Sequence, residues 1–253
     1  MRRPGVVLLA AGRGSRLGSL SDNVPKSLLP IGGKSCLERV LTEVVTFFSD
    51  VVVVTGYRHE MVEEFIERRF GDSVRCIYNP VWERDTNIVS AQVGVESLIE
   101  PSAGYFIVET DVLLDDKAWH SIWQTYVDGQ SIWFTKGVYS ESLTGGCLSA
   151  NADGQVTEIV YAPNYTPHLQ HWPKLIGVLY VGPEQTEADR QLRAAAIDIS
   201  TKQYYLQTWI DNRDQLPCVY HDLGDALAVT FNDATAYQAA CRQSTATARD
   251  GEQ

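Results

Sequence analysis

The sequence predicts an α/β fold: a mostly parallel sheet with helices on both faces, plus a small inserted β lobe in its second half. Three observations carry this. Short, almost wholly apolar runs rich in valine recur through the first half, as strands buried on both faces require. Between them lie segments with apolar residues at helical spacing. The two patterns alternate from residue 6 to residue 110, the order that builds parallel sheets, and such crossovers are nearly always right-handed.

Residues 6–11 read as the first buried strand and run into a glycine-rich loop. A helix is expected over 36–48, where Leu37, Val40, Leu41, Val44, Val45 and Phe48 share one face. Residues 51–55 form a β-branched run, the second strand. An amphipathic helix follows over 59–70, with Met61, Val62, Phe65 and Ile66 inward. Residues 74–78 read as a third strand, 87–98 as a helix, and 105–110 as a strand ending at Asp111.

The second half is less regular. A strand is expected over 131–138. Asn151-Ala152-Asp153-Gly154 is a turn signal between strands at 147–150 and 156–161. A further strand is expected over 175–181, helices over 186–197 and 203–210, a last strand over 226–231 and a last helix over 234–242. The polar tail, 243–253, is expected to fray. No repeat or linker divides the chain. Residues 1–242 therefore read as one domain, with 131–181 as the inserted lobe on the acceptor side of the site.

Bulk composition narrows the function. The chain has 253 residues, 44% hydrophobic and 21% charged, with a net charge of -11. That length can bury a sizeable core, and that charge repels nucleic-acid phosphates, so no nucleic-acid partner is expected. No apolar run has the length of a membrane span. The apolar start is too short for a signal peptide and ends in Gly12-Arg13-Gly14-Ser15-Arg16. The five cysteines (Cys36, Cys76, Cys147, Cys218 and Cys241) lack C-x-x-C spacing. They read as reduced thiols of a cytoplasmic protein. None of the five histidines has a catalytic or metal partner at recognisable spacing.

The chemistry concentrates in Leu9-Ala10-Ala11-Gly12-Arg13-Gly14-Ser15-Arg16-Leu17 and in Val24-Pro25-Lys26-Ser27-Leu28. The first begins where a buried strand ends, the edge at which parallel sheets bind ligands. Gly12 and Gly14 permit close approach and positive φ, and successive free N–H groups make a nest for anions. Arg16 adds a fork suited to phosphate oxygens and Lys26 a point charge. A P-loop is excluded because no G-K-[ST] follows, and a dinucleotide loop because Leu17 stands where the third glycine belongs.

These stretches resemble the signature of the sugar-phosphate nucleotidyltransferase superfamily. Val54-Thr55-Gly56-Tyr57, Tyr78-Asn79-Pro80 with Asn87-Ile88-Val89-Ser90, and Val108-Glu109-Thr110-Asp111 are similar to bacterial choline-phosphate and phosphonate cytidylyltransferases. The resemblance implies a Rossmann-like nucleotidyltransferase fold. It implies transfer of a nucleotidyl group, CMP from CTP, to a small phosphate or phosphonate acceptor such as phosphocholine or 2-aminoethylphosphonate.

Lys26 and Arg16 are then catalytic. Leu9, Ala10, Ala11, Gly12, Gly14, Ser15, Asn87 and Ser90 are expected at the nucleotide, although Ser90 reads equally as a buried small residue. Asp111 and Asn232 would hold Mg2+, with Asp233 as the fallback ligand or else a helix cap. Asp115 and Asp116 read as caps. Lys174, before a G-x-Y strand, would bind the acceptor phosphate. The resemblance allows a homodimer. Two alternatives remain: a sugar- or cyclitol-1-phosphate acceptor, and a non-catalytic nucleotide-binding regulatory domain. Aromatics at Trp82, Tyr161, Tyr165, Trp172, Tyr204, Tyr205 and Trp209 could bind a quaternary ammonium, but core packing explains most of them.

Overall fold

The computed structural model describes residues 3–126 and 129–250, and the side chains of all of these but 244–250. In chain order the first half holds β1 (Gly5–Leu9), the hairpin β2 (Pro30–Ile31) and β3 (Lys34–Ser35), and α1 (Cys36–Phe47). It continues through β4 (Val51–Thr55), α2 (His59–Phe70), β5 (Arg75–Tyr78), α3 (Ile88–Glu96), β6 (Tyr105–Glu109), β7 (Val112–Leu114) and α4 (Asp116–Thr125). The second half holds β8 (Ile132–Val138), β9 (Gly145–Ala150), β10 (Val156–Ala162), β11 (Pro173–Val181) and α5 (Thr186–Ile199). It ends with α6 (Leu206–Asp211), β12 (Val219–Asp222), β13 (Ala228–Thr230) and α7 (Ala234–Asp250).

Strands β6, β1, β4 and β5 lie side by side in parallel. Strand β11 joins β6 antiparallel, β8 pairs antiparallel with β11, and β12 runs parallel to β8. All five residues of β1 are buried. Its side chains alternate between two cores, as strand geometry requires. Val6 and Leu8 pack with Leu37 and Leu41 of α1 and Trp119 and Ile122 of α4. Val7 and Leu9 pack with Ala91 and Val95 of α3 and Trp209 of α6. A strand covered on both sides has no polar face, which is why β1 and β4 are apolar throughout.

Residues 131–181 divide between sheet and lobe. Leu179 pairs with both Ile107 of β6 and Trp133 of β8, so β8 and the end of β11 are strands of the main sheet. The lobe proper is the β9–β10 hairpin with its flanking loops. It has a satellite core of Tyr139, Cys147, Ala162 and Leu169, and attaches to the start of β11 through Lys174 and Cys147.

Several boundaries differ from the sequence reading. Helix α6 starts at Leu206, and the last strand narrows to β13, which pairs with β7. Strand β12 had no signal. Helix α7 runs on to Asp250, and residues 251–253 of the tail lie outside the described residues. No described helix is long and apolar enough to cross a membrane.

Candidate active site

A cleft of about 870 Å³ opens at the carboxyl ends of β1 and β6, between the sheet and the lobe. Its walls include the loop from Leu9 to Arg16, Lys26, Asn87 and Ser90, Asp111, Lys174, and Asn232 with Asp233. The residues that the sequence assigned to nucleotide, acceptor and metal thus share one cleft, whereas Tyr165, Trp172 and Trp209 of the aromatic set lie outside its walls.

The loop after β1 is held from below. Ala10 N–H donates to the Val54 carbonyl and Tyr57 N–H to the Ala11 carbonyl, both at 2.9 Å. Gly14 alone of the loop's two glycines takes a left-handed conformation, at φ 71°. A Cβ there would lie 2.9 Å from Cβ of Lys26, so the missing side chain is what lets Lys26 pass beneath the loop. Gly12 is not left-handed, and a Cβ on it would meet nothing within 4 Å. The space beside it is open.

Lys26 is the hub of the site. Its Nζ donates to Asp111 Oδ2 at 2.5 Å and to Asn232 Oδ1 at 3.1 Å, and lies 5.3 Å from the centre of the Phe231 ring. Arg16 also donates to Asn232 Oδ1, at 3.3 Å. The chain reaches this point from both sides. Asp111 follows the end of β6 after one residue, Thr110. Strand β13 returns antiparallel along β7, Phe231 N–H donates to the Asp111 carbonyl at 3.1 Å, and Asn232 follows.

Asp111 Oδ1 is buried and has no hydrogen-bond partner among the described residues. An orphaned carboxylate oxygen beside an amide oxygen suits a hard cation such as magnesium, which takes one or two protein oxygens and completes its shell with phosphate and water. Asp233 is spent otherwise: its Oδ1 accepts from Ala236 N–H at 2.9 Å, capping α7. Asp115 caps α4 by accepting from Ala118 N–H at 2.8 Å. Of the adjacent pair, Asn232 faces the cluster.

Asn87 and Ser90 stand on the wall with their polar groups engaged. Asn87 Oδ1 accepts from Tyr205 N–H at 2.9 Å, and its Nδ2 donates to Glu109 Oε1 at 3.3 Å. Ser90 is buried. Its hydroxyl donates to Asp85 at 2.7 Å and accepts from Asn79 at 3.0 Å. Asp85 also accepts the Val89 and Ser90 N–H groups, capping α3.

Lys174, also on the cleft wall, is only 8% exposed. Its Nζ donates to the Leu175 carbonyl at 2.7 Å, and burial lowers its pKa below the ordinary lysine value. Facing it is Glu109, to which sequence reasoning gave no role. Burial first, and then the charge of Asp111, push the Glu109 carboxyl up to about 7. One signal could have found it. Tyr105 and Ile107 are buried on the same face of β6, and period-2 alternation puts Glu109 there too.

The aromatic residues mostly pack on one another. Trp133 stacks on Tyr205 with ring centres 5.9 Å apart, and Trp209 meets Trp133 edge-on. The Tyr161 hydroxyl donates to that of Tyr204 at 3.1 Å, with their rings 4.6 Å apart.

A family model described as a MobA-like NTP transferase domain matches residues 6–177. The chain belongs to this family. Among curated relatives of this MobA-like chain, the choline-phosphate cytidylyltransferase of Haemophilus influenzae is 31% identical over 110 residues, 43% of this chain and 44% of that protein. The CMP-5'-(3-aminopropyl)phosphonate synthase of Streptomyces rubellomurinus is 28% identical over 156 residues, 61% of this chain and 24% of that protein. The chain thus spans less than half the length of the curated relatives it matches. The MobA-like fold superposes on the CTP:phosphocholine cytidylyltransferase of Streptococcus pneumoniae with a TM-score of 0.78 and 19% identity, covering 94% of this chain and 97% of that one. That likeness is one of fold.

Proposed function

We propose that this chain transfers a nucleotidyl group, CMP from CTP, to a small acceptor bearing a phosphate or phosphonate, and releases pyrophosphate. The observation that carries this reading is the convergence of Arg16, Lys26, Asp111 and Asn232 at one end of a single large cleft. CTP as the donor is supported by the cytidylyl chemistry in the relatives' names.

The acceptor oxygen attacks the α-phosphorus in line while the bond to pyrophosphate breaks, without a covalent enzyme intermediate. Catalysis is then positioning and charge stabilisation. The N–H groups of the loop around Gly14 hold the triphosphate. Arg16 faces the leaving pyrophosphate. Lys26, paired with Asp111, meets the charge on the α-phosphate. Lys174 meets the acceptor's phosphate or phosphonate. Asp111 and Asn232 would hold magnesium, which when bound neutralises charge shared by the α-phosphate and the acceptor.

A pyrophosphate-release screen of the four NTPs against phosphocholine, aminoalkylphosphonates and sugar 1-phosphates tests the reading. Lys26→Ala is expected to lose about 100-fold to 1,000-fold in kcat, the scale seen when one oxyanion donor is removed. Near-normal turnover in that variant overturns the assignment. Preference for a sugar 1-phosphate moves the acceptor. NTP binding without pyrophosphate release favours a regulatory domain.

A further inference from the structure

The carboxylate of Glu109 is the least explained group in the cleft. It stands on the carboxyl end of the central strand β6, on the face that otherwise buries Tyr105 and Ile107. The fold makes room for it. Gly177 in β11 sits at φ 76°, and a Cβ there would lie 2.6 Å from Glu109 Oε2. Any other residue at 177 would displace the carboxylate, so strand β11 is shaped around that acid.

Its hydrogen bonds are half filled. Oε1 accepts from Asn87. Oε2 accepts from none of the described residues, although Glu109 lines the cleft. Lys174 is in the same state. It is more than nine-tenths buried, and among the described residues one of its three N–H donors is used, on the Leu175 carbonyl. The two charges feel each other, yet no ion pair joins them among the described residues. A buried cation and a half-buried anion, each with open hydrogen-bonding capacity and not in contact, are costly for the protein alone. A ligand that carries both charges satisfies both.

We propose that this end of the cleft selects an acceptor carrying an N–H ammonium as well as its phosphate or phosphonate, with Lys174 taking the anion and Glu109 Oε2 the ammonium. This rests on the nucleotidyltransferase reading and narrows its substrate class. The neighbouring side chains set the form of the ammonium. A quaternary ammonium has no N–H to donate and is held by open aromatic faces. Here the Trp133 and Tyr205 rings face each other, Tyr161 and Tyr204 close on each other, and Trp82 packs on Tyr57, so every aromatic side chain described on the cleft wall is already paired with another ring. A carboxylate oxygen instead recognises N–H donors through charge-assisted hydrogen bonds. The site thus fits a primary amine and disfavours its trimethylated form. Lys26 and Asp111 also face Glu109 electrostatically and are engaged with each other, so Oε2 is left to the ligand.

The test compares 2-aminoethylphosphonate, its N,N,N-trimethyl derivative and ethylphosphonate as acceptors, with CTP and magnesium, using the full chain. For the wild type, kcat/KM is expected to fall about 30-fold or more when the amine is removed or trimethylated, as for sites whose buried polar groups are left unpaired. In Glu109→Gln the ratio between the aminated and amine-free acceptors is expected to collapse to within about threefold. Wild-type turnover of ethylphosphonate equal to that of 2-aminoethylphosphonate overturns the proposal and leaves nucleotidyl transfer standing. So does an equal loss on both acceptors in Glu109→Gln, which would make Glu109 only a partner for Asn87. The wild-type comparison decides the matter alone if the variant fails to fold. Absence of pyrophosphate release with every acceptor and NTP overturns the underlying reading instead.

Discussion

Gly14 and Lys26 share one small volume: the glycine's left-handed backbone and missing side chain leave the space through which the lysine reaches Asp111. Gly14→Ala is therefore expected to cost about 1–2 kcal/mol in stability from the backbone conformation alone. It is also expected to lower turnover, because Lys26 must move. Calorimetry and pyrophosphate release read the two effects separately, and unchanged kcat would show that Lys26 does not need this path. Glu109 makes a second prediction at this scale. Its folded pKa lies above the ordinary carboxylate value, so the fold binds this proton more tightly than the unfolded chain does. The associated stability is present below about pH 4.5 and is lost as pH rises through about 7. In metal-free protein, Glu109→Gln is expected to melt higher than the wild type at pH 8, by about 2 kcal/mol, with the gap closing toward pH 5. A gap that does not change with pH contradicts this.

Among the elements, α2 and β4 match the sequence reading to the residue. An amphipathic helix and a valine strand carry their own periodicity, and the turn residues beside them mark the ends. Strand β12 carried no such signal. Val219-Tyr220-His221-Asp222 is four residues long and is a strand because it pairs with β8. The same holds for β7, three residues long; β13, expected over 226–231, narrows to the three residues that pair with it. Site residues divide along the same line. Those in the glycine loop were legible because the loop's chemistry is local. Glu109 was not, since its meaning depends on Gly177 and Lys174, far away in the chain. Sequence likewise could not show that Asp233 caps α7 while Asn232 accepts from Lys26 and Arg16. Asp115 links elements in the same way, accepting from Ala118 N–H of α4 and from Leu227 N–H ahead of β13, at 2.8 and 3.0 Å. Asp115→Ala is expected to lose about 1–2 kcal/mol by urea denaturation, the scale of a lost cap with a further lost hydrogen bond. A loss below about 0.5 kcal/mol would mean that water replaces both.

For the molecule as a whole, the fold class was legible and the clamp that holds the second core together was not. Asp189 and Arg193 of α5 are both wholly buried and paired at 2.7 Å. Tyr105 of β6 donates to Asp189 at 2.5 Å and Trp209 of α6 at 2.9 Å, while Arg193 donates to Gln92 of α3 at 2.8 Å. One ion pair thus ties two further helices and a central strand to α5. In sequence these residues look like part of a solvated helix face. Removing one partner leaves a buried charge, so Asp189→Ala is expected to cost about 3–5 kcal/mol, whereas replacing both by apolar residues of similar volume recovers most of that. Chemical denaturation of the single and double variants checks this, and equal losses in the two would show that the charge is not the issue.

Residue 111 and residue 232 meet in the cleft although the chain supplies them far apart, and that order has a consequence during synthesis. The loop around Gly14 and strands β1, β4 and β6 leave the ribosome first and have their parallel partners at hand. Asn232, whose side-chain oxygen Arg16 and Lys26 share, follows Arg16 by 216 residues. On the proposed reading, a nascent chain carries its glycine loop well before it carries the oxygen that completes the cluster around Lys26.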